Sequence, residues 1–356
     1  MDKRYHLLLA LFVLLFGRCA STSKITSVVE RKQDGNMMLK WEVSPDPDPN
    51  EDINIYSAQS DASLSEFTPI RTSKINDHFT VINPSNPDTR EFFILKTTTA
   101  FSGIITNRII ESQNVKNFRD AGGYFNHSEK QMRWGMIYRS GDLSHATLYD
   151  QEKMRRLNIK TVVDLRSVES ASKYPILLHP SIKKISIPIV RLSDEIFEEL
   201  MSNKNLTQAD AIRKIQDSYI EIIENNKVDF ANLFHLLSDV DNYPILLSGS
   251  LGKDRVGLAV YLILSAVGIP EYVILSDYML SQQLIDVSKI VEDVHSKPEY
   301  FQEAVTALMS VKPSYLNYTI DYINQKYGSV NNYIQKELKI SSGQINALNR
   351  ILFYTP

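Results

Sequence analysis

Between about residues 24 and 110, apolar and polar positions tend to alternate along the chain. Met37-Met38-Leu39-Lys40-Trp41-Glu42-Val43, Ile53-Asn54-Ile55-Tyr56 and Phe92-Phe93-Ile94-Leu95 carry this texture. Turn-forming clusters separate them, notably Ser44-Pro45-Asp46-Pro47-Asp48-Pro49-Asn50. A period of two sends alternate side chains to one sheet face, so short antiparallel strands in a small β-sandwich are expected over 24–110. Trp41 is expected in its core. Beyond residue 110 the period changes. Thr161-Val162-Val163-Asp164-Leu165, Ile185-Ser186-Ile187-Pro188-Ile189 and Pro244-Ile245-Leu246-Leu247 read as buried strands. Helical stretches over 148–157, 209–225 and 258–267 alternate with them. In the second, Ile212, Ile215, Tyr219, Ile222 and Ile223 share one face. Strands alternating with helices predict an α/β domain with a mainly parallel sheet over 111–356. Helices over 277–293, 298–310 and 315–326 and two short ones complete it.

The N-terminus reads differently. Met1-Asp2-Lys3-Arg4 precedes an apolar run from Leu7 to Phe16, then Gly17-Arg18-Cys19-Ala20-Ser21. The run falls short of the ~20 residues a membrane span needs. A basic start, a short apolar core and a small-residue exit predict an export signal over 1–23. Cys19 is the one cysteine of 356 residues. It stands where a bacterial lipoprotein is cut and acylated, although Arg18 occupies a place usually held by a small residue. The expectation is an exported lipoprotein, held at a bacterial envelope membrane through Cys19. A single cysteine excludes an intrachain disulfide and any multi-cysteine metal site. The net charge of −3 supplies no basic field for nucleic acid. The seven histidines show no metal-ligand spacing, and no metal or organic cofactor is implied.

The candidate chemistry lies in Pro244-Ile245-Leu246-Leu247-Ser248-Gly249-Ser250-Leu251-Gly252-Lys253-Asp254-Arg255-Val256-Gly257. A strand runs through a short loop into a helix, whose N-terminal N–H groups and dipole favour an anion. Arg255 adds a guanidinium fork suited to phosphate oxygens. A nucleotide P-loop fits poorly, because its first glycine is misplaced and Asp254 follows the lysine where Ser or Thr should hold magnesium. No Gly-x-Ser-x-Gly elbow is present.

This stretch resembles the loop of bacterial tyrosine phosphatases of the dual-specificity or lipid-phosphatase-like branch, which reads His-Cys-x-Ala-Gly-Lys-Asp-Arg-Thr-Gly. Gly252, Lys253, Asp254, Arg255 and Gly257 match it. Asn117-Phe118-Arg119-Asp120-Ala121-Gly122-Gly123, Tyr138-Arg139-Ser140-Gly141-Asp142-Leu143-Ser144 and Val162-Val163-Asp164-Leu165-Arg166-Ser167 match other blocks in order. Tyr327-Gly328-Ser329-Val330 with Tyr333-Ile334 resembles the family's helical ending. The resemblance covers about 115–352 and implies a tyrosine-phosphatase-like fold. The strands of 24–110 resemble a fibronectin type III module.

Set beside that family, the loop departs at three places. Gly249 stands at the nucleophilic cysteine's position, Ser248 at the histidine's and Val256 at the hydroxyl residue's. The lost groups are those that make and stabilise a thiolate. The resemblance implies phosphate binding by Ser250, Leu251, Gly252, Lys253, Asp254 and Arg255, with Asp254 in the general-acid place. Two functions follow as expectations. One is a pseudophosphatase that binds a phosphorylated protein, lipid or sugar without efficient hydrolysis. The other is an active phosphomonoesterase using Asp254, Arg255 and a nucleophile other than cysteine. Ser248 and Ser250 flank the vacant place, but neither has a histidine nearby in the loop. Arg119, Asp120, Arg139 and Arg166 are candidates to line the pocket. A structural role is the competing reading for each, including an ion pair between Arg119 and Asp120. Asp164, inside a buried strand, reads as scaffold.

Overall fold

The computed structural model describes residues 23–45, 48–58, 68–84, 86, 89–190, 207–285 and 297–355. Cys19 and the expected signal segment lie outside them, as does part of the helix expected over 277–293.

The described chain up to Thr106 is antiparallel β. One sheet runs β1 (Lys24–Arg31), β2 (Met37–Ser44) and β5 (Phe79–Ile82) side by side. A second places β4 (Arg71–Lys74), β3 (Asp52–Ala58), β6 (Phe92–Lys96) and β7 (Ile105–Thr106) in that order. Their inward positions close one core. Ile25, Val29, Leu39 and Trp41 meet Ile53, Ile55, Phe93 and Leu95 there. Trp41 is buried, and its Nε1 donates to the Ile75 carbonyl at 2.9 Å.

The larger remainder, called the α/β half below, is built on a five-stranded sheet. β8 (Arg119–Asp120) and β9 (Ile137–Ser140) are followed by β10 (Thr161–Asp164), β11 (Lys183–Ser186) and β12 (Ile245–Ser248). The order is β11-β10-β12-β9-β8, with β8 antiparallel to β9 and the rest parallel. Both faces are buried in the three central strands β10, β12 and β9, whereas the edge strand β11 is largely exposed. Val163, Leu165, Ile245 and Leu247 point into the larger core, while Val162 and Leu246 point into the smaller. That explains strands that read as continuous apolar runs.

Among the described residues, the α-helices of six residues or more are α1 (Leu148–Arg156), α2 (Val168–Lys173), α3 (Gln208–Asn225), α4 (Lys227–Leu237), α5 (Arg255–Ala266), α6 (Glu271–Leu284), α7 (Glu299–Met309), α8 (Pro313–Tyr327) and α9 (Ser342–Leu352). Thr147, Thr207 and Ser341 start α1, α3 and α9 by accepting the third N–H of each helix. Several boundaries differ from the sequence expectation. α6 begins at Glu271, six residues early, because Pro270 serves as its N-cap. β11 ends at Ser186, before Pro188, which has no N–H to donate to a ladder. α4, with Phe230, Leu233, Phe234 and Leu237 on one buried face, was not anticipated.

The sandwich docks on the α/β half through Arg90. Its Nη1 lies 2.6 Å from Asp120 Oδ2 and 3.3 Å from the Tyr138 hydroxyl, and its Nη2 donates to the Asn107 carbonyl. Trp134 Nε1 adds a hydrogen bond to Ile104 O at 2.7 Å.

Candidate functional site

The loop after β12 leaves the carboxyl end of a central parallel strand, where open α/β sheets place their ligands. α5 begins at Arg255 with Asp254 as N-cap, yet the Asp254 carboxylate does not cap the helix. It turns to accept from the Tyr219 hydroxyl at 2.5 Å and from Lys253 Nζ at 2.8 Å. Donors at this helix start are thus not satisfied by the cap side chain, which suits an incoming anion.

The loop's carbonyls are gripped from outside. Ser250 O accepts from the Asp142 N–H at 2.7 Å. Asn117 Nδ2 donates to Leu251 O and Gly252 O at 3.1 and 3.0 Å, and Arg139 Nη2 donates to Gly252 O at 2.7 Å. A trans peptide carries its N–H opposite its C=O. The N–H groups of Leu251 and Lys253 therefore turn to the inner side. The Gly252 N–H closes the turn on Gly249 O at 2.6 Å. Gly252 is required here: its φ is +68°, and a Cβ would fall 2.4 Å from the Ser140 carbonyl.

Gly249 is a different kind of glycine. It is not in the left-handed region, and a Cβ would meet Val256 Cγ2 at 3.4 Å and Leu165 Cβ at 3.8 Å, ordinary contacts. The backbone accepts a side chain that the sequence does not supply. Next to it, Ser248 is buried and its hydroxyl donates to Gly141 O at 2.8 Å. Arg255 Nε donates to Ile189 O at 2.8 Å, and Nη1 reaches Ser250 Oγ at 3.2 Å. These bonds lay the guanidinium across the loop.

Arg119 and Arg139 are brought together, but behind the loop and not in its mouth. Both are fully buried and share Asp277 of α6. Arg119 Nε lies 3.2 Å from Oδ1 and Arg139 Nη1 2.6 Å from Oδ2. Arg119 also bonds to Asn117 Oδ1, to the Asp277 carbonyl and to Ser281 Oγ. Burial alone would raise the Asp277 carboxyl, but the two arginines outweigh it and hold it well below the usual carboxylate range. Burial and the nearby Arg139 charge pull the Arg119 guanidinium down to about 10, still charged at neutral pH.

The competing reading, an ion pair between Arg119 and Asp120, is not met, because adjacent strand residues point to opposite faces. Asp120 instead holds Arg90 and accepts the N–H groups of Gly122 and Gly135, each at 2.7 Å. Arg166 forks onto Asp164 at 2.9 and 2.8 Å and reaches Asp142 Oδ1 and the Tyr174 carbonyl. It is buried by these partners, not presented to a ligand. Asp164 is the scaffold residue expected.

Sequence reasoning missed Asp277, Ser281, Tyr219 and Tyr278 as parts of the site. Ile274, Asp277, Tyr278 and Ser281 form one buried helical stripe. A carboxylate in such a stripe signals a buried cation, and that clue was in the sequence. The Tyr219 hydroxyl also lies 2.8 Å from that of Tyr278. Burial, then the Asp254 charge, pushes Tyr219 well above its ordinary value, so it stays a proton donor to Asp254. Among the described residues, no group of three His, Cys, Asp or Glu side chains is placed to hold a metal ion.

A family model described as the tyrosine phosphatase family matches residues 110–354. A Cupriavidus necator protein assigned by name to the tyrosine-protein phosphatases is 25% identical over 236 residues, 65% of this chain and 84% of its own. The triple specificity protein phosphatase PtpB of Mycobacterium tuberculosis is 27% identical over 270 residues, 66% of this chain and 96% of its own. The crystal structure of the core catalytic domain of the PP-IP phosphatase SIW14 from S. cerevisiae, in complex with citrate, is 14% identical. It aligns with 64% of this chain and 97% of its own, at a TM-score of 0.28.

Proposed function

The chain belongs to the tyrosine phosphatase family, and on that premise we propose that it is a pseudophosphatase, which binds a phosphorylated protein, lipid or sugar without efficient hydrolysis. The carrying observation is the pairing of a braced anion loop with an empty nucleophile place. Gly252, Asn117 and Arg139 hold the loop's shape and Arg255 lies across it, while Gly249 offers no side chain. Thiolate and phosphate are both negative, so the missing cysteine removes a repulsion without removing a donor.

The alternative, turnover by a nucleophile other than cysteine, finds less support. The Ser248 hydroxyl is buried and committed to Gly141 O. Ser250 Oγ lies against a guanidinium, not a base. A serine without a positioned base is a weak nucleophile. Asp254, in the general-acid place, is engaged by Tyr219 and Lys253.

Calorimetry with inorganic phosphate, phosphotyrosine and an inositol phosphate tests the reading. At least one should bind, more weakly as salt rises. Arg255→Ala should lose tenfold or more in affinity, since a charged hydrogen bond contributes about 1.5–3 kcal/mol. Absence of binding by all three, in folded protein, would remove the proposal and leave Arg255 as a structural residue.

Two further readings belong with this one. The sandwich is a fibronectin type III-like spacer, supported by three- and four-stranded sheets around a buried tryptophan. The protein is exported and anchored through Cys19, supported by the apolar run that ends near it. Expressed in a bacterium, it should fractionate with membranes, and Cys19→Ser should block processing or release it. Mass spectrometry showing an unmodified cut elsewhere would sink the anchor.

A further inference from the structure

A second cleft, of about 800 Å³, lies between the sandwich and the α/β half. Met136, Asn158 and Pro244 line it, and each just precedes a parallel strand. The phosphate-binding loop follows the other end of β12. Four strand residues at ~3.3 Å each therefore separate the two by about 13 Å of sheet. This is not the catalytic-loop pocket seen from behind.

Its walls are basic. Arg31 and Arg90 come from the sandwich, and Arg133, Lys153, Arg155 and Arg156 from the α/β half. Glu111 is the one carboxylate in the lining among the described residues. Nearby acids offset half of this charge. Arg90 is committed to buried Asp120 at 2.6 Å, and Arg31 leans on Glu111 at 3.6 Å. Arg155 and Arg156 share a single carboxylate, Glu152, at 2.6 and 3.0 Å. Those last pairs are exposed and exchange readily for another anion. Among the described residues Arg133 and Lys153 have no carboxylate partner, and each is half-buried. Cations from both halves thus converge on a cleft larger than one phosphate group needs.

We propose that this cleft binds a small polyanion, carrying two or more phosphate or sulfate groups, seated between the sandwich and the basic wall of the α/β half. Arg133 and Lys153 are the principal contacts, and Arg155 and Arg156 turn from Glu152 to the ligand. The sandwich then does more than space the α/β half from its surroundings, since Arg31, Arg90 and Phe92 form the opposite wall of the cleft.

The test is calorimetry of tripolyphosphate binding to the full chain at low salt. The wild type, Arg255→Ala, and Arg255→Ala carrying the added double change Arg133→Ala/Lys153→Ala are compared, so that the loop contributes no binding to the double variants. The site should survive Arg255→Ala with its affinity unchanged and weaken at least tenfold in the double variant. A charge-preserving double on the same background, Arg133→Lys/Lys153→Arg, should stay within about threefold of wild type. Loss of all binding in Arg255→Ala would assign the ligand to the loop and overturn the proposal. Wild-type affinity in the alanine double would overturn it too, as would equal losses in both doubles.

Discussion

The wild-type chain is expected to hydrolyse a generic aryl phosphate no faster than background, and Gly249→Cys is expected to raise that rate measurably. Removing the covalent nucleophile from a well-studied hydrolase costs on the order of 10⁶ in kcat. The revertant is expected to fold, because a Cβ at position 249 makes only ordinary contacts and the backbone is outside the left-handed region. It is expected to recover only part of a family-like rate. Ser248 and Val256 still stand where the resemblance implies thiolate-stabilising groups, so the new thiol keeps a high pKa. Stopped assays of both proteins, with Arg255→Ala as control, decide the matter. Wild-type turnover at a typical enzyme's rate, abolished by Arg255→Ala, would refute the pseudophosphatase reading.

Asp277→Ala is expected to be the most destabilising single change in the α/β half. It would leave Arg119 and Arg139 buried, side by side and without their shared carboxylate. Breaking a buried ion pair by removing one partner costs about 3–5 kcal/mol. Urea titration followed by fluorescence should show the midpoint fall accordingly. Phosphate binding should fall with it, because Arg139 also holds the Gly252 carbonyl. An unchanged midpoint would mean that the two arginines find other partners. The pH dependence has a definite sign. The folded Asp277 pKa is depressed, so its contribution is fully present above the unfolded value of about 3.9. It is lost as pH falls through the lower, folded value. Wild type should therefore keep this contribution at pH 5 and lose it only in strong acid.

Much of this architecture is legible locally. Alternation over Met37–Val43 is enough to face Leu39 and Trp41 inward, because a strand buries one face. Ile215, Tyr219, Ile222 and Ile223 fall on one side of α3 for the analogous helical reason. The loop after β12 is legible because its parts are contiguous: strand, glycine turn, basic residues and helix start. The roles of the arginines were not. Arg119, Arg139 and Arg166 read as possible pocket residues, since an arginine at a strand end looks alike whether it faces a ligand or a buried acid.

By itself the sequence determined the change near residue 110 from strands to alternating strands and helices, the glycine-containing basic loop after β12, and the absence of a thiol from it. Each depends on residues close together in the chain, where periodicity and composition act directly. Only the tertiary structure decided which way the loop's carbonyls turn, that Arg90 of the sandwich meets Asp120, and that Asp277 takes both buried arginines. Arg119 and Asp277 are 158 residues apart and Arg139 and Asp277 138 apart. Such pairings follow from which side chains must share a dry space once the sheet and α6 have packed. A buried charge tolerates no other arrangement than a partner in reach, and no local pattern records where along the chain that partner lies.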